Sequence, residues 1–398
     1  MGVAAAAHLA AAGARVVLLE SRAIAAGASG RNSGVVQHPF DPALRAIHLE
    51  TVALYRALAA EAGGGFTLGA EPAGLLLVGL DPRLPRRMAV ALALSDPDLE
   101  PTFLAGDELR RLEPGLAAEV SACRVAIGYP APPAGATHAI AALARRRGAE
   151  IRTGETVAGL LLDHDRAIGV RLADGRTLEA GAVLVAAGPW SSGLLDPTGR
   201  WQPIRPVWGV VVDLDLGGPA GSSGSAGSAG SAAPRHVLEE AAMDAALGDV
   251  GRGADATQPD RATDDGDGPD AHGDRPEFSL VTAAGRSSLG STFLDAEPDI
   301  DAWLPRLVAR GRRFVPGVGV ARVGAIRACA RPLSADGRPL LGAVPGIAGA
   351  FIAAGHGPWG ISTGPASARI VADAILGRAP TIAPELDAAR FGAPIEAA

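Results

Sequence analysis

The chain has 398 residues, 48% of them hydrophobic, with 53 glycines and 31 prolines, which is enough for two turn-rich domains around a large apolar core. All 36 basic residues are arginine, and this excludes a P-loop and a pyridoxal phosphate site, each of which needs a lysine. The formal charge of -7 is concentrated between residues 241 and 275, where nine Asp face three Arg, so the remainder is near neutral and shows no nucleic-acid footprint.

No run of eighteen apolar residues reads as a transmembrane helix. Cys123 and Cys329 form no disulfide framework and fit a reducing compartment. No basic segment precedes the opening alanine run, so no signal peptide is read. A cytoplasmic protein is expected, or one lying peripherally at the inner membrane face.

The first pattern is Met1 to Gly13, apolar on a helical period and closed by a glycine where a C-cap belongs. Arg15-Val-Val-Leu-Leu-Glu20 follows as a short branched run ending in an acid, the pattern of a buried parallel strand. A dinucleotide fold places a strand before such a helix and joins the two by G-x-G-x-x-G. Gly2 stands where the third glycine falls, 18 residues before Glu20. The strand and the first two glycines would precede Met1, so the expectation is a fold lacking its first strand, with an unpaired gap at the sheet centre.

Residues 41–62 read as a long amphipathic helix capped by Asp41, with Pro42 in its first turn. Residues 74–80 and 157–172 read as strands, the latter folding back around Asp163-His-Asp165, with a turn at Ala173-Asp-Gly175. Thr137 to Arg147 reads as a helix ending at Gly148, and Ala182 to Gly188 as another buried strand. Residues 217–234 are Gly, Ser and Ala, and residues 241–275 are dominated by Gly, Asp, Ala and Pro. Both are expected to be disordered low-complexity insertions. Arg235–Glu240, Phe278–Val281 and Ser288–Phe293 are expected to be strands that pair around them.

Four motifs then line up in order: Ala28-Ser-Gly-Arg-Asn-Ser-Gly34, Ala186-Ala-Gly-Pro-Trp-Ser191, Arg331-Pro-Leu-Ser-Ala-Asp-Gly-Arg-Pro-Leu-Leu-Gly342 and Ala354-Gly-His-Gly-Pro-Trp-Gly-Ile-Ser362. Together they resemble the D-amino-acid-oxidase-like flavoproteins, the family of glycine oxidase, D-amino-acid dehydrogenases and sarcosine oxidase. The resemblance implies an α/β fold: a Rossmann-like FAD-binding domain of the glutathione-reductase type, without its first strand, beside an α+β substrate domain with an antiparallel sheet. The FAD-binding part is expected at 1–69, 136–203 and 318–385, and the substrate part at 70–135 and 204–317.

The same resemblance implies roles for individual residues. Glu20 would accept from the adenosine ribose, with Ser21 and Arg22 beside it. Ser29, Gly30, Arg31, Asn32 and Ser33 would line the pyrophosphate and flavin, and the backbone of Val157 would meet adenine. Ala187, Gly188 and Trp190 would border the cofactor. Gly355, Gly357, Pro358, Trp359, Gly360, Ile361 and Ser362 would present a helix N-terminus to the flavin, mostly through backbone N–H groups. With Gly2, these complete the expected FAD contacts. Arg331 would hold a substrate carboxylate bidentately, against the alternative of an ion pair with Asp336, and Arg327 is a second candidate on the same strand face. Cys329 falls where sarcosine oxidase attaches its flavin, but Ala328 and Ala330 resemble the non-covalent branch. No metal and no catalytic acid or base is assigned.

The implied reaction is FAD-dependent oxidation of the C–N bond of a small amino or imino acid by hydride transfer to flavin N5. The acceptor would be O2, or a quinone or electron-transfer partner, since the lysine that activates oxygen in sarcosine oxidase has no counterpart. One alternative is 2-hydroxy-acid oxidation, which would draw a base from His48, His138 or His356. The other is a homologue with impaired FAD binding.

Overall fold

The computed structural model describes residues 1–61, 65–217, 233–243 and 275–394. The two low-complexity stretches at 217–234 and 241–275 lie outside the described residues, apart from Gly217, residues 233–234, residues 241–243 and Arg275.

The first helix, Gly2–Ala11, buries an alanine-rich surface and closes at Gly13, whose N–H donates to the Ala10 carbonyl (2.9 Å). The strand Val17–Glu20 follows and pairs in parallel with Glu150–Thr153. A second piece of sheet sets Val183–Val185 parallel to Ala350–Ala354, which also pairs antiparallel with Leu340–Ala343. Among the described residues no backbone ladder joins these two pieces. Gly2 lies near both. A Cβ there would meet Leu18 at 3.4 Å and Ala186 at 3.9 Å, ordinary packing distances, so the start of the helix lies against both pieces.

The helix Pro42–Glu61 starts as its sequence requires, with the Asp41 carboxylate accepting from the Ala43 N–H (3.0 Å). Leu44, Ile47, Thr51, Val52, Tyr55 and Leu58 form its buried face. The predicted hairpin is also formed, as Val157–Asp163 against Arg166–Leu172.

The larger sheet has eight strands. In spatial order they are Arg322–Ser334, Ile204–Asp215, Arg286–Gly290, Ser279–Ala283, Val237–Glu240, Leu75–Gly79, Ser121–Val125 and Thr102–Ala105. The sheet is antiparallel except where Val237–Glu240 runs parallel to Leu75–Gly79, a departure from an all-antiparallel expectation. Leu75, Leu76, Leu77 and Val78 have neighbouring strands on both sides and are buried on both faces, which is why that run does not alternate apolar with polar. The helix Ile300–Phe314, capped by Asp299 on the Asp301 N–H (3.1 Å), packs on this sheet. There Phe314 stacks on Phe278 with ring centroids 4.5 Å apart.

The strand Arg322–Ser334 pairs along most of its length with Ile204–Asp215. It belongs to the eight-stranded sheet, not to the parallel pieces, so a division at residue 318 does not follow the sheets. Its end at Ser334 turns directly into the Leu340–Ala354 hairpin of the smaller sheet. A single stretch of chain therefore delivers Arg331 from one sheet and His356 from the other to the same seam, where Leu333 bridges to His356.

Candidate active site

The residues expected at adenosine lie at the end of the Val17–Glu20 strand. Glu20 stops the strand, and its Oε1 accepts from the Arg22 N–H (3.0 Å) and from the Ser21 hydroxyl (3.5 Å). The carboxylate is fixed in place while Oε2 has no partner among the described residues. Main-chain bonds from Gly154 N to Arg22 O and from Glu155 N to Glu20 O (both 3.1 Å) bring the segment leading to Val157 alongside.

The Ser29–Ser33 segment is a short helical turn, Ala28–Arg31, closed by Asn32. Asn32 donates to the Ala28 carbonyl (2.9 Å) and accepts from the Gly34 N–H (3.0 Å). Arg31 donates to the Ala328 carbonyl (3.2 Å), and Arg327 donates back to the Arg31 carbonyl (3.1 Å). The two arginines thus clasp the turn to the Arg322–Ser334 strand. Arg327 is further engaged by an ion pair with Asp213 and by Ser288 Oγ (3.1 Å). Its hydrogen bonds are those of a residue fastening the turn, which leaves Arg331 as the stronger substrate candidate.

The third segment is the turn from Gly355 into the helix Gly360–Ile375. The Ser362 hydroxyl accepts from the Gln37 N–H (2.9 Å), and the Ser362 carbonyl lies 3.2 Å from His48 Nδ1. Ile361 and Trp359 pack against buried apolar clusters, so their side chains point into protein and what the turn offers a ligand is backbone. By contrast Trp190, after the Ala186–Gly188 strand end, is exposed. Ser191 Oγ and His356 Nε2 are buried without partners among the described residues. Unsatisfied polar atoms of this kind are costly unless something completes them, and both lie in segments expected to border the flavin. The residues present therefore fit an FAD molecule, whose ribose Glu20 would meet and whose isoalloxazine the Gly360 helix start would face.

Burial drives His356 down to about 3. It also lowers His48 to about 4, with His38 adding to the effect. Both rings are neutral at physiological pH. Burial likewise pushes the Cys329 thiol up, so a reactive thiolate at the position of the covalent link is disfavoured.

At the far end lies Arg331. Its guanidinium sits between Gly209 and the Phe293 ring, 4.6 Å from that ring's centroid, and donates to the Thr292 carbonyl and Ser291 Oγ (both 2.7 Å). A Cβ added at Gly209 would come closer than 3.0 Å to Cζ and both Nη atoms, so the arginine head has its place only because residue 209 is glycine. Asp336, the alternative ion-pair partner for Arg331, is instead taken by Arg390 (2.7 Å).

Sequence reading missed three acids in the fold, of which Glu277 faces this arginine. Glu277 is main-chain paired with Ser291 and faces Arg331 electrostatically. Gln37 donates to Glu239 (2.9 Å), and Glu240 forms a buried ion pair with Arg310 while accepting from the Phe278 N–H (3.1 Å). The available signal was weak: Glu239 and Glu240 are acids inside an otherwise apolar strand, and Glu277 stands at the edge of an acidic low-complexity stretch.

The sequence profile described as "DAO: FAD dependent oxidoreductase" matches residues 1–374. Glycine oxidase of Pseudomonas aeruginosa is 27% identical over 239 residues, covering 59% of this chain and 52% of that protein. D-amino acid dehydrogenase of Methylobacterium nodulans is 28% identical over 256 residues, covering 64% and 51%. In those alignments the chain spans about half the length of the curated relatives it matches. Among solved structures, glycine oxidase from Bacillus cereus superimposes with a TM-score of 0.73 at 22% identity, covering 95% of this chain and 93% of that one. L-proline dehydrogenase from P. horikoshii gives 0.73 at 18% identity, covering 98% and 93%. At such identities the likeness is one of fold.

Proposed function

Because the chain belongs to the DAO family of FAD dependent oxidoreductases, we propose that it oxidises the C–N bond of a small amino or imino acid. Bound FAD would supply the redox chemistry, accepting hydride at N5 from the substrate alpha carbon. The protein's contribution is orientation. Arg331, on a strand shared with the clasp that holds the Ser29–Ser33 turn, receives the carboxylate and fixes the alpha carbon relative to the cofactor. The Phe293 ring and the Gly209 backbone pack the guanidinium on its two sides. The observation that carries the reading is this single arginine, preorganised at the seam where the two sheets meet.

Two of the three histidines available to it, His48 and His356, argue against the hydroxy-acid alternative, and the third, His138, is exposed on the Pro133–Arg146 helix. Removing a hydroxyl proton calls for a base matched to the working pH, and His48 at about 4 and His356 at about 3 are poor ones. An amine that arrives neutral needs none. The electron acceptor is O2 or a quinone-linked partner. The two buried free cysteines fit a cytoplasmic setting or the inner face of the membrane, and among the described residues no helix is long and apolar enough to cross a bilayer. The deciding experiment is anaerobic mixing of the FAD-loaded chain with glycine, sarcosine, D-alanine and D-proline beside glycolate and lactate. Bleaching of the flavin by at least one amine is expected, and bleaching by hydroxy acids alone overturns the proposal.

A further inference from the structure

The group the proposed reaction does not use is Glu277. It lies on the segment leading into Ser279–Ala283, and its main chain exchanges two hydrogen bonds with Ser291 (3.0 and 2.6 Å). Ser291 in turn takes a hydrogen bond from Arg331 Nη2 (2.7 Å). Glutamate and arginine are thus held by one residue. Oε2 of Glu277 is buried without a hydrogen-bond partner among the described residues, and an ionised carboxylate in that position is expensive.

We propose that Glu277 and Arg331 form a proton-coupled carboxylate trap, in which Glu277 takes up a proton from solvent as a ligand carboxylate settles on Arg331. This rests on the reading of Arg331 as the carboxylate-binding residue. No bond other than O–H is made: the guanidinium stays charged, the incoming carboxylate replaces Glu277 as its counter-charge, and the glutamate is left as the neutral acid. The charge arrangement enforces the exchange. The groups facing Glu277 are Glu240, Arg331, Arg275 and Arg310, and Glu240 is already committed to Arg310. The groups facing Arg331 are Glu277 and Cys329, and the Cys329 thiol is held neutral by burial. Arg275, half-exposed, also leans on Glu240 (4.0 Å), so a second anion on Arg331 would sit against an ionised Glu277 with both nearby arginines drawn to Glu240. Burial, reinforced by Glu240, already raises the Glu277 carboxyl to about 7, so the proton is available near neutral pH.

The trap favours ligands that carry a carboxylate and disfavours neutral isosteres, and its affinity falls as pH rises. If only the protonated form binds, a group titrating at about 7 makes the dissociation constant about tenfold weaker at pH 8 than at pH 6. At pH 8 it draws in about 0.9 proton per ligand bound. His48 and His356 titrate far below this window and do not contribute.

The test is calorimetric titration of the full chain, with FAD added, by sodium acetate at pH 6 to 8 in two buffers of different ionisation enthalpy, which counts protons without any turnover. The expected result is near-stoichiometric uptake at pH 8 and a tenfold pH effect on affinity, both lost in Glu277→Gln, which has the shape of the neutral acid. Acetate binding that disappears in Arg331→Met but involves no proton uptake, or uptake that persists in Glu277→Gln, overturns the trap and leaves the Arg331 reading standing. Absence of acetate binding, or binding indifferent to Arg331→Met, overturns that reading and the trap with it. Should Glu277→Gln fail to fold, the wild-type proton count together with Arg331→Met decides the matter.

Discussion

Gly209→Ala is the most discriminating substitution, because it leaves every charged residue in place and moves one of them. Residue 209 is in the middle of the Ile204–Asp215 strand, opposite Cys329, and its backbone there is ordinary strand that alanine adopts readily. The added methyl would meet Cζ, Nη1 and Nη2 of Arg331 at less than 3.0 Å, so the guanidinium must leave its seat on the Thr292 carbonyl and Ser291 Oγ. A hydrogen bond to a charged group is worth about 1.5–3 kcal/mol. Losing one such contact to a substrate carboxylate therefore lowers kcat/KM by about 10- to 140-fold, at 1.4 kcal/mol per tenfold. The assay is the half-saturation of anaerobic flavin reduction by whichever amino acid bleaches the wild type, with FAD affinity and melting temperature measured in parallel. The expected variant binds FAD normally and reduces it only at much higher substrate concentration. Unchanged reduction in a variant that melts and binds FAD like the wild type would refute the role given to the Arg331 head.

Three further predictions address the cofactor and the scaffold. Glu20→Ala is expected to weaken FAD at least about tenfold, read from recovery of flavin fluorescence, since a carboxylate already oriented by the Arg22 N–H loses charge-assisted bonds to the ribose; an unchanged affinity would remove Glu20 from the site. Asp213→Asn strands the largely buried Arg327 charge, costs about 3 kcal/mol and loosens the Ser29–Ser33 turn, so the melting temperature falls and FAD binds less tightly. Identical melts would mean that the clasp is idle. Acid sensitivity follows from His48: its folded value of about 4 lies below the ordinary 6.5, so below pH 6.5 the unfolded chain binds the proton and the native one does not. About 3 kcal/mol of stability, fully present above pH 6.5, is then lost as pH falls to 4, and His48→Asn should flatten that part of the stability profile measured by denaturant titration.

The sequence by itself determined the local elements and the family. The Met1–Gly13 and Asp41–Glu61 helices, the Glu20 strand and the 157–172 hairpin were legible because their apolar periods, caps and turn residues act over a few positions of chain. The four glycine-rich motifs were legible for a similar reason: close backbone approach leaves its mark in residue type. What only the tertiary structure decided is which arginine does which job. Arg327 and Arg331 share a strand face and look alike in sequence, yet one is engaged by Asp213 and the Arg31 carbonyl and the other is seated between Gly209 and Phe293. The difference comes from partners far away in the chain, brought in by the register of Ile204–Asp215 against Arg322–Ser334. Glu277 was hidden for the same reason. A carboxyl's burial, its missing partner and its charged neighbours are properties of a folded surface, and no spacing along the chain encodes them.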